Sequence, residues 1–362
     1  MEGIGNRAHS MPKIGQAFVS VILPVRNEEQ FISETISCFL NNDFPNDRME
    51  IIVIDGHSND GTRVLVEKFV KVDSRVKLID NPAKITPVGM NLGVKAARGE
   101  YILVAGCHST YAQDYLKSCV EVIERTGAGC VGGYMETLPG GPGLVPDSIA
   151  CATSSLFGVG GAKFRTGGNC ECQVDALGVS FTKREVFDKV GLYNPLLVRN
   201  QDIEFSSRVR KAGYTIIASP AIKLKYHNRS TYKGLREQAF SNGKWNAYTL
   251  WLTGGGLRLR HFIPAAFVIA LIGLILFTLW IDGIFKWLLF AYLGLYLSVA
   301  IFDACRMCIL TKQLNLLALI LASYIQMHLC YGFGTIYGLA TIPLHVSDWR
   351  RLSSHIENAG RL

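Results

Sequence analysis

The amino-acid sequence predicts an α/β domain built on a mostly parallel β-sheet, followed by apolar helices that cross a membrane. Apolar, β-branched runs alternate with helical patterns through the first third of the chain. Long uncharged stretches lie near the C-terminus and explain why 49% of the 362 residues are apolar and only 18% charged. This composition excludes an intrinsically disordered chain.

The first 106 residues predict four strands separated by three helices. The strand runs are apolar almost throughout, which is typical of a Rossmann-like, mixed but mostly parallel sheet with both faces covered by helices. Ligands of such sheets bind at the carboxyl ends of the strands. The residues that follow the first, second and fourth strands are therefore candidate binding segments: 24–28, 55–62 and 106–108.

The alternation of strand and helix patterns ends after residue 128. Residues 154–175 show little regular pattern and are predicted to form a flexible active-site loop. A strand and a short helix follow over residues 174–191. A further helix is expected to begin at Asn200 and to end at Gly213, which suits a C-cap.

Residues 262–281 form a 20-residue stretch without a charge, long enough to cross a bilayer. A second span is predicted at 284–302. A third apolar segment, 315–342, either crosses or re-enters, because it contains Gln326, His328 and several glycines. Residues 343–362 are predicted to be a C-terminal tail.

A basic segment precedes the first span. Residues 221–261 contain eight Lys or Arg and one acid, a balance of +7 in a chain of net charge +8. Its aromatic residues and its position beside a span favour a membrane-surface role over nucleic-acid binding. We therefore predict an amphipathic interface segment at 231–260 and a cytosolic domain at 17–230. Residues 1–16 are predicted to be a tail without the apolar region of a secretory signal.

The motif at residues 55–62 is D-G-x-S-x-D-G-T, whose two carboxylates, Asp55 and Asp60, can bind a nucleotide's base and ribose. Together with P-V-R-N-E at 24–28, the run at 91–100 and N-Q-D-I-E-F at 200–205, it resembles the family 2 inverting glycosyltransferases of GT-A fold. The resemblance covers residues 17–245. C-H-S-T-Y at 107–111 is similar to the succinoglycan-biosynthesis ExoA-like branch, whose membrane-attached enzymes extend lipid-linked exopolysaccharide precursors.

The resemblance implies a nucleotide site at the first two motifs. Asp55 is expected to hydrogen-bond the uracil, while Pro24, Arg26 and Glu28 line the base pocket. Glu28 could instead be an ordinary acid in the first turn of a helix. For Asp60 two interpretations stay open, nucleotide binding and capping of the following helix.

The resemblance also implies a catalytic base at Asp202, which would take the proton of the acceptor hydroxyl during a single inverting displacement. The alternative is that Asp202 or Glu204 only caps its helix. Gln201 replaces the family's preceding acid. Gln201, Arg208 and Trp245 are the residues expected on the acceptor side, and Lys244 is expected near the donor pyrophosphate.

The fourth strand ends differently from the family's metal-binding D-x-D or D-x-H motif. Gly106 takes the place of the first acid, and His108 keeps the last position. The acid would hold Mn²⁺ or Mg²⁺ against the pyrophosphate. Three interpretations follow: a metal held weakly by His108 and the pyrophosphate, cations such as Lys244 or Arg208 in its place, or loss of catalysis.

The sequence thus predicts a multi-pass protein of the cytoplasmic membrane. Its function would be transfer of a hexose from a nucleotide-sugar donor, expected to be a UDP-sugar, to a polyprenyl-linked glycan. Membrane lipid and other proteins of polysaccharide assembly are expected partners, and nucleic acid is not. The alternative is a catalytically silent GT-A subunit that binds nucleotide sugar or scaffolds an assembly.

Overall fold

A computed structural model describes residues 16–281 and 283–359, with side chains up to residue 350. The predicted tail at 1–16 therefore lies outside the described residues, apart from Gln16. The chain divides into two compact units. Unit 1 comprises Met1–Gly133, Asn169–Leu192 and Val209–Leu224, and unit 2 comprises Tyr134–Gly168, Tyr193–Arg208 and Lys225–Leu362.

Over residues 19–104 strands and helices alternate as the sequence predicts. The strands are β1 Val19–Val25, β2 Met49–Asp55, β3 Val76–Asp80, β4 Tyr101–Val104, β5 Ser109–Tyr111, β6 Cys130–Leu138, β7 Cys172–Gln173, β8 Ser180–Lys183 and β9 Ile216–His227. The helices are α1 Ile32–Leu40, α2 Thr62–Val72, α3 Thr86–Ala96, α4 Tyr115–Thr126, α5 Leu144–Ser154, α6 Leu156–Val159, α7 Lys163–Thr166, α8 Arg184–Val190, α9 Gln201–Lys211, α10 Tyr232–Thr253, α11 Ile263–Ile281, α12 Ile284–Thr311 and α13 Leu317–Ala359.

Unit 1 carries a mixed sheet in the order β3-β2-β1-β4-β8-β6-β9-β5, with β7 paired to β9. The four predicted strands, β1 to β4, form its parallel part, and β8 runs antiparallel to β4 and β6. Every residue of β2 is buried, as expected for a parallel strand covered on both faces. Helix α1 buries Ile32, Ile36 and Phe39, which share one helical face.

The segment that the sequence predicts to be a flexible loop belongs to unit 2 up to residue 168 and to unit 1 from residue 169. That prediction is only partly right, because residues 154–175 include α6, α7 and β7. The Ser155 hydroxyl accepts a hydrogen bond from the Gly158 N–H at 3.0 Å and so caps α6. One-turn helices of this kind leave no periodic pattern in a sequence.

Three helices are long and apolar enough to cross a membrane: α11, α12 and α13. Helix α12 continues nine residues past the predicted end at 302, and in this extension Arg306 pairs with Asp303 at 2.8 Å. The expectation that the third segment either crosses or re-enters stays a prediction. Helix α13 is one continuous helix that contains Pro343.

Helices α11 and α12 form an antiparallel hairpin. The Tyr292 hydroxyl donates to the Phe267 carbonyl at 3.1 Å, and the rings of Phe277 and Phe285 stack 5.0 Å apart. Buried side chains lie only where α11 begins and where α12 ends: Ala265, Val268, Ala300, Asp303, Ala304, Met307 and Cys308. The middle of the hairpin exposes large apolar side chains.

Helix α10, which covers most of the predicted interface segment, packs along α13 in parallel. The Tyr232 hydroxyl donates to the Leu319 carbonyl at 3.1 Å, and Tyr248 bonds Thr341 at 2.8 Å farther along both helices. Small residues allow this close approach. A Cβ at Gly334 or Gly338, four residues apart on α13, would collide with the backbone of α10.

Candidate functional site

The segments that follow β1 and β2 are bound to each other by hydrogen bonds. The Asn27 N–H donates to Ser58 Oγ at 2.9 Å, and the Asn59 N–H returns a bond to Asn27 Oδ1 at 3.0 Å. The Glu28 N–H donates to Thr62 Oγ1 at 2.7 Å. The two predicted nucleotide-binding segments therefore form one structure at the carboxyl edge of the sheet.

Two non-glycine residues in these segments have left-handed backbone. Asn27 has φ 58° and His57 has φ 54°. Such conformations are sparsely populated and cluster at functional sites, where surrounding bonds hold them. Their positions agree with a binding site at this edge.

Asp55 is almost fully buried and fixes the second motif. Its Oδ1 accepts bonds from the Ser58 N–H at 3.1 Å and the Ser58 hydroxyl at 2.6 Å, while its Oδ2 pairs with Arg63 at 3.4 Å. Pro24 is half-buried on β1, and the exposed Arg26 lies beside Gly56. Base recognition by Asp55, Pro24 and Arg26 stays a prediction.

Asp60 holds the start of α2. Its Oδ1 accepts from the Thr62 N–H at 3.0 Å and the Thr62 hydroxyl at 2.6 Å, and the hydroxyl bond is the main cause that lowers the pKa of Asp60. This geometry supports the capping interpretation.

His108 faces Glu28. Their Nε2 and Oε1 atoms are 3.4 Å apart, and the Phe31 ring contacts the imidazole with a centroid distance of 4.8 Å. At Gly106, the Tyr111 hydroxyl accepts from the N–H at 3.0 Å and donates to the carbonyl at 3.1 Å. A Cβ at Gly106 would meet no atom within 4 Å.

Glu28 and His108 fit two ligands of one divalent cation. Octahedral ligands about 2.1 Å from an ion lie about 3 Å apart, close to the observed separation. Within the described ranges, no group of three or more His, Cys, Asp or Glu could hold a metal. Glu28 is thus a candidate for the carboxylate that Gly106 lacks, and the sequence did not indicate its place beside His108 because the two residues lie far apart in the chain.

In unit 2, Asp202 and Glu204 occupy the first turn of α9. Glu204 binds Arg208 through two bonds of 2.7 and 2.9 Å, so Arg208 is not a free cation for the acceptor or the pyrophosphate. Asp202 is half-buried, and burial raises its pKa above the ordinary aspartate value. Backbone hydrogen bonds and the charge of Arg165 lower the pKa by less. A carboxylate with a raised pKa suits a general base.

The residues before Asp202 are held by α10. Asn200 has φ 62°, and its Nδ2 donates to Asn246 Oδ1 at 2.8 Å. Asn246 in turn donates to the Tyr331 hydroxyl at 2.6 Å. Gln201 Oε1 is buried and has no hydrogen-bond partner among the residues that the structure describes. The role of Gln201 toward the acceptor stays a prediction.

Lys244 and Trp245 both contact Tyr248 on α10. The Lys244 ammonium lies 5.9 Å from the Tyr248 ring centroid, and the Trp245 ring meets that ring edge-on at 5.3 Å. Their predicted roles toward the pyrophosphate and the acceptor stay predictions.

A mixed sheet with polar motifs at the ends of its parallel strands defines a GT-A-like nucleotide-sugar fold. Residues 20–186 match the family model of Glycosyl transferase family 2. The succinoglycan biosynthesis protein ExoA of Rhizobium meliloti (strain 1021) is 30% identical over 251 residues, which cover 68% of this chain and 74% of that protein. The chain therefore belongs to the family 2 glycosyltransferases, as the motifs predict.

A second relative aligns over most of the chain. The dolichyl N-acetyl-α-D-glucosaminyl phosphate 3-β-D-2,3-diacetamido-2,3-dideoxy-β-D-glucuronosyltransferase of Methanococcus voltae is 26% identical over 90% of this chain and 99% of its own length. Among solved structures, the mannosyltransferase PcManGT from Pyrobaculum calidifontis, in complex with GDP-Man and Mn²⁺, has a TM-score of 0.58 at 16% identity. The match covers 86% of this chain and 87% of that chain and confirms the fold.

Proposed function

We propose that this glycosyltransferase moves a hexose from a UDP-sugar, with inversion, to a polyprenyl-linked glycan at the cytosolic membrane surface. The observation that carries the proposal is Asp202, a carboxylate with a raised pKa at the start of α9, beside the ion-paired Glu204. The names of the relatives support the choice of a lipid-linked acceptor, since one acts on a dolichyl-linked sugar phosphate and another serves succinoglycan biosynthesis.

The reaction is a single displacement. Asp202 accepts the proton of the acceptor hydroxyl while that oxygen bonds to the anomeric carbon. The bond between the anomeric carbon and the donor oxygen breaks, and the nucleoside diphosphate leaves with the electron pair. Gln201 Oε1 would orient the acceptor by accepting a hydrogen bond from a second hydroxyl, because it otherwise stays unsatisfied.

Glu28 and His108 are the residues that would hold Mn²⁺, and a bound ion would neutralise charge on the departing diphosphate. Of the three interpretations left open by the sequence, their separation of 3.4 Å favours the first, with Glu28 added to His108. Imidazole and carboxylate together suit Mn²⁺ better than Mg²⁺, which strongly prefers oxygen ligands.

The competing function is a silent subunit that binds nucleotide sugar or scaffolds other assembly proteins, and Gly106 and Gln201 are the departures that favour it. The decisive experiment incubates membranes containing the protein with a panel of radiolabelled nucleotide sugars and extracts the lipid-linked products. Membranes with Asp202→Asn provide the matched control. Label in the lipid fraction with wild type alone supports transfer, whereas no label with any donor supports the silent subunit.

We further propose that α11 and α12 are the two membrane spans and that α13 lies in the interface on the cytosolic side. Helix α13 contacts the start of α11, and it contacts α12 from the middle of that helix to its end. Gly332 lies against Pro264 and Val268, His328 bonds Tyr296 at 3.0 Å, and Tyr324 donates to Asp303 at 2.5 Å. Both ends of a hairpin lie on one side of the bilayer. The apolar middle of the hairpin is left to lipid.

Helix α10 supports the same topology. It carries Lys233, Arg236, Glu237 and Lys244 and packs along α13. If α13 crossed the bilayer, these charges would enter the hydrocarbon, at about 2.5 to 3.5 kcal/mol for each Lys or Arg near the centre. An interfacial α13 avoids that cost.

A further inference from the structure

Three arginines of unit 2 come together from three separate segments. Arg165 lies in α7, Arg199 directly precedes Asn200 and α9, and Arg229 follows β9. All three are half-buried. Within the part of the chain that the structure describes, none of them forms an ion pair with a carboxylate.

Tyr226 interacts with two of the three arginines, Arg165 and Arg199. The Arg165 guanidinium carbon is 5.6 Å from the centroid of the Tyr226 ring, a cation–π distance. Tyr226 and Arg229 both interact electrostatically with Arg199. Burial lowers the pKa of Arg199, and repulsion from Arg229 lowers it further.

Helix α10 fixes the position of Arg199. Asn242 Oδ1 accepts a bond from Arg199 Nη1 at 3.0 Å, and Asn246, one turn later, accepts the bond from Asn200. The guanidinium is thus held in place beside a second cation instead of extending into water. Arg199 and Arg229 repel each other at partly buried positions, which is unfavourable, so a bound anion beside these two arginines would stabilise the arrangement.

Arg165 also interacts with the proposed catalytic base, since the charge of its guanidinium lowers the pKa of Asp202. The other cations expected near a substrate phosphate are engaged elsewhere: Arg208 pairs with Glu204, and Lys244 contacts Tyr248.

We propose that Arg165, Arg199 and Arg229 form a binding site for the phosphate groups of a substrate. Guanidinium groups bind phosphate oxygens in bidentate geometry and stay charged at every physiological pH. The identity of the substrate rests on the proposed function, which offers two sources with the same chemistry. One is the diphosphate of the nucleotide-sugar donor, and the other is the phosphate that links the glycan to its polyprenyl carrier.

The test measures binding to the purified full-length protein in detergent, without turnover. One arm titrates UDP and the other titrates geranylgeranyl diphosphate. Arg199→Ala and Arg229→Ala are each expected to weaken one probe or both by about tenfold or more, the scale of a lost charge-assisted bond. Arg199→Lys keeps the charge and should lose less. Arg236→Ala, which removes an exposed arginine on α10, is the matched control and should change neither affinity.

The two arms identify the source. Loss of UDP affinity assigns the cluster to the donor, loss of geranylgeranyl diphosphate affinity assigns it to the lipid-linked acceptor, and either loss supports the site. Unchanged affinity for both probes in variants with the wild-type melting temperature would overturn it, and Arg199→Gln replaces any alanine variant that does not fold. Because binding is measured alone, a protein that binds through these arginines but transfers no sugar would refute the proposed function and leave the site standing.

Discussion

Asp202 and Glu204 share one helical turn but differ in their partners, and this difference is the reason for proposing Asp202 as the base. We expect Asp202→Asn to reduce transfer by ~10²-fold or more, because the amide keeps the shape and cannot accept a proton. Donor affinity should be nearly unchanged. Single-turnover transfer of radiolabelled sugar, together with calorimetric titration of UDP, measures both quantities.

The control for this prediction is Glu204→Gln, which removes the ion pair with Arg208 but leaves Asp202 in place. It should keep more activity than Asp202→Asn. If Glu204→Gln were inactive and Asp202→Asn active at equal stability, the base would be Glu204.

From the raised pKa of Asp202 we derive a separate prediction about the pH dependence of kcat. The carboxylate form is the active base, so kcat should fall as the pH drops through the pKa of Asp202. That acid limb should lie above the ordinary aspartate value of about 3.9. Arg165→Ala removes a charge that lowers the pKa and should move the limb to still higher pH. A profile of kcat at saturating substrate from about pH 4 to 8 checks the expectation, and an unmoved limb in Arg165→Ala would contradict it.

Glu28 and His108 should act together on one ion. We expect Glu28→Gln and His108→Ala each to remove most of the gain in UDP affinity that Mn²⁺ provides, and the double variant to lose little more than either single one. Gly106→Asp should increase the Mn²⁺ effect, since open space surrounds the position of its Cβ. Titration of UDP with and without Mn²⁺ measures the coupling. Additive losses, or equal affinities with and without the ion, would remove this pair from the metal site.

At the scale of elements, the segments after β1 and β2 should act as one binding loop. We expect Asp55→Ala to weaken UDP binding by about 1 to 3 kcal/mol, because Ser58 loses its acceptor and the loop loses its shape. Asp80→Ala is the matched control: it also removes a partner of Arg63 but leaves Ser58 bound. Equal effects of the two variants in calorimetry would show that Arg63, and not the loop, determines UDP affinity.

The sequence predicted most elements of unit 1 because their signals are local. Apolar runs and helical periodicity defined β1 to β4 and α1 to α3, and the left-handed Gly213 ends α9 as expected. Pairings between distant residues were not predictable. The buried Glu50 shows this: it binds the Ser20 hydroxyl at 2.7 Å and the Lys77 ammonium at 2.8 Å, and neither contact has a local pattern.

The candidate site shows the same division. Motifs in the sequence indicate Asp55, Asp60, His108 and Asp202. The contact between Glu28 and His108 is visible only in the folded structure. The sequence carries no signal for a site at Arg199, and it assigns Arg229 to the basic membrane-surface segment at 221–261, because arginines in irregular segments normally belong to solvated surface. Their partial burial, without a carboxylate partner among the described residues, can be seen only in the folded chain.

At the scale of the whole molecule, hydropathy identified three apolar helices but could not distinguish a span from an interfacial helix. Both kinds contain long uncharged stretches. In the proposed topology the neighbouring helices separate the two kinds. Helix α13 packs along the charged α10, while the part of the α11–α12 hairpin near its turn exposes Phe277, Trp280 and Trp287. Helix α11, with 19 residues, is about 28 Å long and matches the hydrocarbon thickness.

This topology predicts that the C-terminus lies on the same side as the N-terminal domain. Two spans return the chain to the cytosol after α12, and an interfacial α13 keeps Arg350 and Arg351 there, in agreement with the positive-inside rule. Alkaline phosphatase fused after Gly283, between the two spans, should be active, and phosphatase fused after Lys312 or at the C-terminus should be inactive. Green fluorescent protein at the same positions should give the reverse pattern. The fusion after Lys312 is the matched control, since α13 alone separates it from the C-terminal fusion. Active phosphatase at the C-terminus with inactive phosphatase after Lys312 would establish α13 as a third span and would place the charges of α10 at the membrane depth that the proposed topology avoids.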